Sequence, residues 1–247
     1  MTRRARTVLF LPVAVALLAG LLVGMNGLPD VGDGRSAYGQ FVAKHLVSAR
    51  GTTDVVAPLT FDLRAFDTLG EEFILFAAAA ACALLLRGLR QPREDEQDSH
   101  DTPAIATPAL HALSRLLLAP TIVLGAYVVS HGHVTPGGGF QGGVIVATVA
   151  LLLLTAGRTV FSQRGAPTRS VEAIEAAGAG AFALLGIGGL VFAAAAFENF
   201  LGPGKAGDLL SGGTIPLANV AVGIEVAAGF TLIFIELFQR DGGGDSR

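Results

Sequence analysis

Apolar residues in this chain come in long uncharged blocks separated by short polar stretches. Thr7 to Pro29 contains no Asp, Glu, Lys or Arg, enough to cross a hydrocarbon core of about 30 Å as a helix. Phe73 to Leu86 is a shorter block, extended by Thr68–Gly70 before it and stopped by Arg87. Between Arg115 and Arg158 lie 42 residues without a formal charge. As one helix they would run about 63 Å, twice the bilayer. That block must fold back, and the break falls at His131-Gly-His-Val-Thr-Pro-Gly-Gly-Gly139. It leaves two spans, at about 112–130 and about 140–157. Ala176–Phe197 is a fifth span, and about 214–238 a sixth with Glu225 inside it. The pattern predicts an all-α integral membrane protein of about six transmembrane helices, two followed by four.

The basic residues fit that count. With a cytoplasmic N-terminus, twelve Lys and Arg fall on the inner side and five on the outer, as the positive-inside rule requires. Both termini are therefore expected in the cytoplasm. The basic start, Met-Thr-Arg-Arg-Ala-Arg, resembles a signal peptide. The apolar run Val8–Met25 is longer than an ordinary signal core, however, and reads as a retained anchor.

Between the first two spans, Tyr38, Phe41, Val42, His45 and Leu46 recur at helical spacing, which predicts a short surface helix over Ser36–Ala49. Residues 54–72 interleave acids and an arginine with apolar positions, a pattern that suits chain packed against protein at the membrane edge. There Asp62, Arg64 and Asp67 stand close enough in sequence to pair. Gln91–Pro108 is acidic and proline-rich and cannot bury enough surface to order itself. The expected division is residues 1–92 as a two-span module with an extracytoplasmic loop and amphipathic helix, 93–108 as a linker, 109–240 as a four-helix membrane domain, and 241–247 as a disordered tail.

Composition removes whole classes of function. Charged residues are 15% and hydrophobic ones 51%, with 33 glycines among 247 residues, far more apolar than a soluble domain. The lone Cys82 excludes a disulfide scaffold and a cysteine-based metal site. A net charge of −3 offers no basic field for nucleic acid. Tryptophan is absent and tyrosine occurs twice, so the interfacial aromatic belt falls to phenylalanine.

The densest passage is Ser130-His-Gly-His-Val-Thr-Pro-Gly-Gly-Gly-Phe-Gln-Gly-Gly143. Gly137-x-Gly139-x-x-Gly142 spells a dinucleotide fingerprint, but a membrane helix rather than a strand precedes it and no acid follows about 20 residues on. His131 and His133 supply two metal ligands where a shell needs more, so no metal is expected. The steric reading is stronger: Gly138/Gly142 and Gly139/Gly143 form overlapping small-xxx-small pairs for close helix approach. Pro136 and the glycines allow an unusual backbone path. His131, His133 and Gln141 can satisfy backbone groups at membrane depth.

These residues carry a resemblance. His131–Gly143 resembles the signature of the MnhB (MrpB) subunit of the multisubunit Mrp (Mnh) Na+/H+ antiporters, and Ser211–Gly229 is similar to the last helix of the same subunit. Phe61-Asp-Leu-Arg-Ala-Phe-Asp-Thr-Leu-Gly-Glu71 resembles a segment near the C-terminus of the large subunit of those antiporters, which also stands alone as the small subunit MbhE of membrane-bound hydrogenases. The resemblance implies an MbhE-like module fused to an MnhB-like domain, in the cytoplasmic membrane of a bacterium. It implies a non-enzymatic accessory subunit without cofactors, partnered by other antiporter subunits and the bilayer, with Na+ and H+ as transported ions. Phe61, Asp62, Arg64, Phe66 and Asp67 become candidates for contact with those subunits. No lysine lies inside a span, which argues against a self-sufficient pump. A subunit of a hydrogenase-type or other redox-driven ion-translocating complex, and a structural scaffold that moves no ion, remain as alternatives.

Acids inside the membrane are the candidates for an ion path, because an ionisable group at depth is costly and has a task or a partner. Glu225 lies mid-span, and Glu236, 11 residues on, projects from the same face with Gly229 and Leu232 between. Glu172 and Glu175 share a face at the start of span five, while Glu71 and Glu72 open span two. Glu172 and Glu236 sit near interfaces, where solvation or snorkelling is the ordinary expectation.

Overall fold

The computed structural model describes residues 3–27, 37–88, 107–156 and 166–241. Most of the linker read at 93–108 and the tail from 242 lie outside the described residues. Every regular element among the described residues is helical. They are α1 (Arg3–Asn26), α2 (Ala37–Arg50), a short α3 (Val56–Pro58) running into a π-helical turn (Leu59–Leu63), α4 (Ala65–Gly88), α5 (Pro108–His131), α6 (Gly139–Thr155), α7 (Ala166–Phe192) and α8 (Ile215–Asp241). Four of these, within α4, α5, α7 and α8, are long and apolar enough to cross a membrane; the apolar parts of α1 and α6 are shorter.

The chain separates into two compact units, Met1–Phe41 and Val42–Arg247. In the first, α1 presents Val8, Phe10, Leu11, Val13 and Leu21 to its surroundings, the all-round apolar character of a lipid-facing helix. The second unit holds α3 to α8 and is centred on α8, which packs against α4, α5, α6 and α7. The contacts fix the directions. Gly139 and Gly143 of α6 meet α8 at Val222 and Val226 in rising order, whereas Glu175 and Gly178 of α7 meet Gly229 and Glu225 in falling order. Thus α4, α6 and α8 run one way, and α5 and α7 the other.

Local chemistry sets the helix ends. Thr107 caps α5, its hydroxyl accepting from the Leu110 amide at 3.2 Å, with Pro108 in the first helical position. Helix α7 starts ten residues before the uncharged run and stops at Phe192, five residues short of the expected end. Its early polar residues are helical because Thr168 and Glu175 are buried against neighbours. Its end is set by the chain turning back onto its own glycines. The Phe197 amide donates to the Gly186 carbonyl at 3.3 Å, and the Phe197 ring lies where a Cβ on Gly186 would stand. Phe197 takes a left-handed backbone, φ 62°, which costs a bulky residue about 1–2 kcal/mol.

The glycine stripe of α6 works on two sides. A Cβ at Gly139 would stand 2.5 Å from the Asn219 carbonyl oxygen, and one at Gly143 would stand 2.8 Å from that of Gly223, both on α8. Gly142 faces α5, where a Cβ would come 2.8 Å from the Gly125 carbonyl oxygen. Gly180 of α7, in contrast, has open space. Gly139→Ala should therefore destabilise the fold by about 1–3 kcal/mol and lower the thermal midpoint of the purified protein. Gly180→Ala should leave that midpoint unchanged. Equal behaviour of the two variants would count against this packing.

Candidate functional site

Helix α8 carries the chemistry. Glu225 is wholly buried near its middle and Glu236 is buried near its end, and the two share a face with Gly229. Alanine and glycine on the neighbours make that face accessible to other acids. Glu175 of α7 points an oxygen at bare Gly229, 2.9 Å from where a Cβ would be, and Gly178 lies directly against the Glu225 backbone. From α4, Ala79 packs at the same level of α8, its Cβ 3.8 Å from the missing Gly229 Cβ. One heptad earlier on that face of α4 is Glu72, also buried. Neither oxygen of Glu72 or Glu225, nor Oε1 of Glu175, has a hydrogen-bond partner.

At the end of this face the acids are held. The Arg87 guanidinium donates from Nε to Glu236 Oε1 at 2.8 Å and from a terminal nitrogen to Glu172 Oε1 at 2.6 Å. One cation at the last turn of α4 thereby ties the start of α7 to the end of α8. This corrects the solvated reading of Glu236, which is 1% exposed and ion-paired, whereas Glu172 is partly exposed and shares the same arginine. Glu71 sits on the outer face of α4 and it is Glu72 that turns inward. The sequence points to Glu71 as the ion-path candidate and misses Glu72, because 100° of helical phase separates them and no flanking charge shows which faces protein.

The 131–139 turn is a packed joint. Gly132 and Gly138 approach so closely that a Cβ on Gly132 would stand 2.6 Å from Gly138 Cα. Asn219 of α8 accepts the Gly139 amide at 2.9 Å through its side-chain oxygen. That role falls to Asn219 and not to Gln141, which is exposed. His131 contacts the Ser130 hydroxyl at 3.0 Å and stacks on Tyr127, while Pro136 is exposed at the tip. His133 is fully buried beside the backbone of Asp208 and Leu209, and burial holds its pKa below the ordinary 6.5. Among the described residues, no group of three or more His, Cys, Asp and Glu could hold a metal ion.

The segment after α2 covers this joint. The Thr53 and Asp54 amides donate to the His133 carbonyl at 3.2 and 3.3 Å, and the Thr53 hydroxyl donates to the Val134 carbonyl. Asp62 pairs with Arg50 and accepts the Asn199 amide at 3.3 Å. Burial pushes the Asp62 carboxyl up more than Arg50 pulls it down. The local trio separates accordingly: Arg64 pairs with Asp67 and Asp62 turns inward. Phe61 is buried edge-on to Phe182, and Phe66 is exposed while its edge meets Phe197.

A family model described as a domain related to the MnhB subunit of Na+/H+ antiporter matches residues 109–232. The chain belongs to the MnhB-related family. An uncharacterized protein of Methanocaldococcus jannaschii is 30% identical over 194 residues, covering 71% of this chain and 73% of that one. The A/B subunit of a probable K+/H+ antiporter of Rhizobium meliloti is 31% identical over 127 residues, 44% of this chain but 13% of the relative. Two solved structures are similar. One is the membrane-bound sulfane sulfur reductase, an archaeal respiratory membrane complex, with TM-score 0.71, 26% identity and coverage of 95% of this chain and 98% of that chain. The other is the Mrp complex from Dietzia sp. DQ12-45-1b, where TM-score 0.72 and 23% identity over all of this chain and 27% of that one show a shared fold. The matched MnhB-related region begins with α5 and includes α6, α7 and most of α8, so Glu225, Glu175 and Asn219 belong to it; Glu72 and Arg87 come from outside.

Two outcomes follow. Arg87→Leu removes the cation from buried Glu236 and should destabilise by about 2–3 kcal/mol, less than a fully buried pair because Arg87 is partly exposed. Arg87→Leu combined with Glu236→Leu should recover most of that loss in a thermal melt; strictly additive losses would argue against the pair. For His133, the folded state keeps the neutral ring while the unfolded chain takes up a proton below about pH 6.5. Stability should fall as pH drops from 6.5 towards the lowered folded value, and His133→Gln should flatten that slope.

Proposed function

We propose that this chain is an accessory membrane subunit of a multisubunit monovalent cation/proton antiporter, supporting assembly and contributing polar groups to ion passage. The single observation that carries this is the MnhB-related match over 109–232, which falls on the helices that surround Glu225. In this reading the chain crosses the membrane six times, through α1, α4, α5, α6, α7 and α8, with both termini cytoplasmic. The alternating directions of α4 to α8 and the twelve-to-five bias of basic residues support it. Residues 1–92 are the MbhE-like module of this reading, with α4 packed against α7 and α8 of 109–240 and 93–108 as the linker, and the protein performs no covalent chemistry. Arg64, Phe66 and Asp67, exposed on the covering segment, are proposed contacts for neighbouring subunits; Phe61 and Asp62 hold that segment to the chain itself.

The likeness to the sulfane sulfur reductase complex over nearly the whole of both chains favours one second reading, a membrane subunit of a redox-driven ion-translocating complex. Affinity purification from native membranes separates the two: antiporter subunits alone should co-purify in the first case, subunits with redox centres in the second. Expressed alone in an antiporter-deficient host, the chain should not restore salt tolerance, whereas co-expression with its partner subunits should. Robust cation-dependent proton flux from the purified single chain in liposomes would overturn the accessory role.

A further inference from the structure

We propose that Glu72, Glu225 and Glu175 form a proton relay running along α8 within this one chain and ending at the Arg87 clamp. The geometry is a line. Ala79 and Gly229 mark one level shared by α4 and α8, and these helices run parallel. Glu72 is seven residues before Ala79 on the same face of α4, so it lies about 10 Å along the axis from that level. Glu225, four residues before Gly229, lies about 6 Å from the level on the same side. Glu175 marks the level itself, with its oxygen against Gly229. Beyond it Arg87 holds Glu172 and Glu236. Along α4, Glu72 to Arg87 covers about 22 Å, most of a hydrocarbon core of about 30 Å.

Three acids that are each at least 98% buried, with oxygens lacking any partner, are not structural glue: a structural carboxylate would be hydrogen-bonded or paired. Among the described residues, the ionisable groups on the packed faces are Glu72 and Arg87 from α4, Glu172 and Glu175 from α7, and Glu225 and Glu236 from α8. A proton suits this lining better than a metal cation. A cation must exchange its hydration shell for several oxygens at once, and here the carboxyls are staggered along the axis between Ala79, Gly178, Ala221 and Gly229. A proton needs one acceptor at a time. In each hop the neutral acid releases H+ through an intervening water to the next carboxylate, so the donor becomes anionic and the acceptor neutral. At the end of the line, partly exposed Glu172 passes it to solvent. The relay needs both modules: Glu72 stands on α4, before the MnhB-related region, and Glu175 and Glu225 lie within it.

This proposal rests on the antiporter reading for its use in the cell, and its test has an arm that does not. Glu72→Gln, Glu175→Gln and Glu225→Gln, each made in the full chain co-expressed with its partner subunits, should assemble as the parent does. Each should lower cation-driven proton exchange in inverted vesicles about tenfold, and Asp at each position should restore part of it. In infrared spectra of the purified chain, the carboxylic-acid carbonyl band should lose intensity stepwise with each Gln. Exchange at the parent's rate in three assembled variants overturns the relay, as does a loss that merely follows the amount of complex. If parent vesicles exchange nothing, the antiporter reading fails and the infrared arm decides. A band that no Gln substitution diminishes then overturns the relay, and a stepwise loss supports it.

Discussion

Lipid tails solvate leucine and phenylalanine about as well as a protein interior does, so helices in a bilayer gain little from burying them. What remains is close contact, and here close contact means the bare backbone faces of Gly139 and Gly143 against α8, and of Gly178 against the backbone at Glu225. Two polar features of the site depend on bare glycine faces. Asn219 reaches the Gly139 amide because α6 has no side chain between them. Glu175 reaches the centre because Gly229 leaves room for its carboxyl. An added methyl group at Gly139 would push α6 off the backbone of α8, and one at Gly229 would displace the Glu175 carboxyl.

The acids show two ways of placing a carboxyl at depth. Glu236 and Glu172 share the Arg87 guanidinium, whose fork offers separate nitrogens to two acceptors. Glu72, Glu175 and Glu225 have apolar neighbours and no such partner. The contrast lies along one line through α8, with compensated charge at one end and bare carboxyls elsewhere. The MnhB-related match covers α5 to α7 and most of α8, yet the arginine and one of the bare acids stand on α4. The contacts bind α4 to α7 and α8 as one compact unit.

Most of the helices were legible as uncharged runs, and the fold-back at 131–139 followed from bilayer thickness alone. Where the run and the helix parted company, charge was the misleading cue. In the sequence Glu172 and Glu175 argue against a membrane helix before Ala176, yet Glu175 is buried and Glu172 is clamped by Arg87. The end at Phe192 depends on Phe197 meeting Gly186, a contact that no periodicity encodes. Glu225 stood out because it is isolated, and the glycine pairs because their spacing is itself the packing rule. Glu72 was hidden beside Glu71. Asn219 was hidden as one polar residue in an apolar helix, and Arg87 by the 149 residues separating it from Glu236. Long-range pairing leaves no local mark, and two of the three depended on it.

Phe197 bears on how this chain can change over generations. Its left-handed backbone invites replacement by glycine, which would relieve the torsional cost. The same replacement would empty the slot that Gly186 leaves for the ring and remove the partner of both Phe182 and Phe66. Relief and loss oppose each other, so neither position is free to drift alone. Loss of the phenylalanine leaves a void against Gly186, and a side chain at Gly186 collides with the ring. The two sites are coupled by steric exclusion, 11 residues apart in sequence and in contact in space.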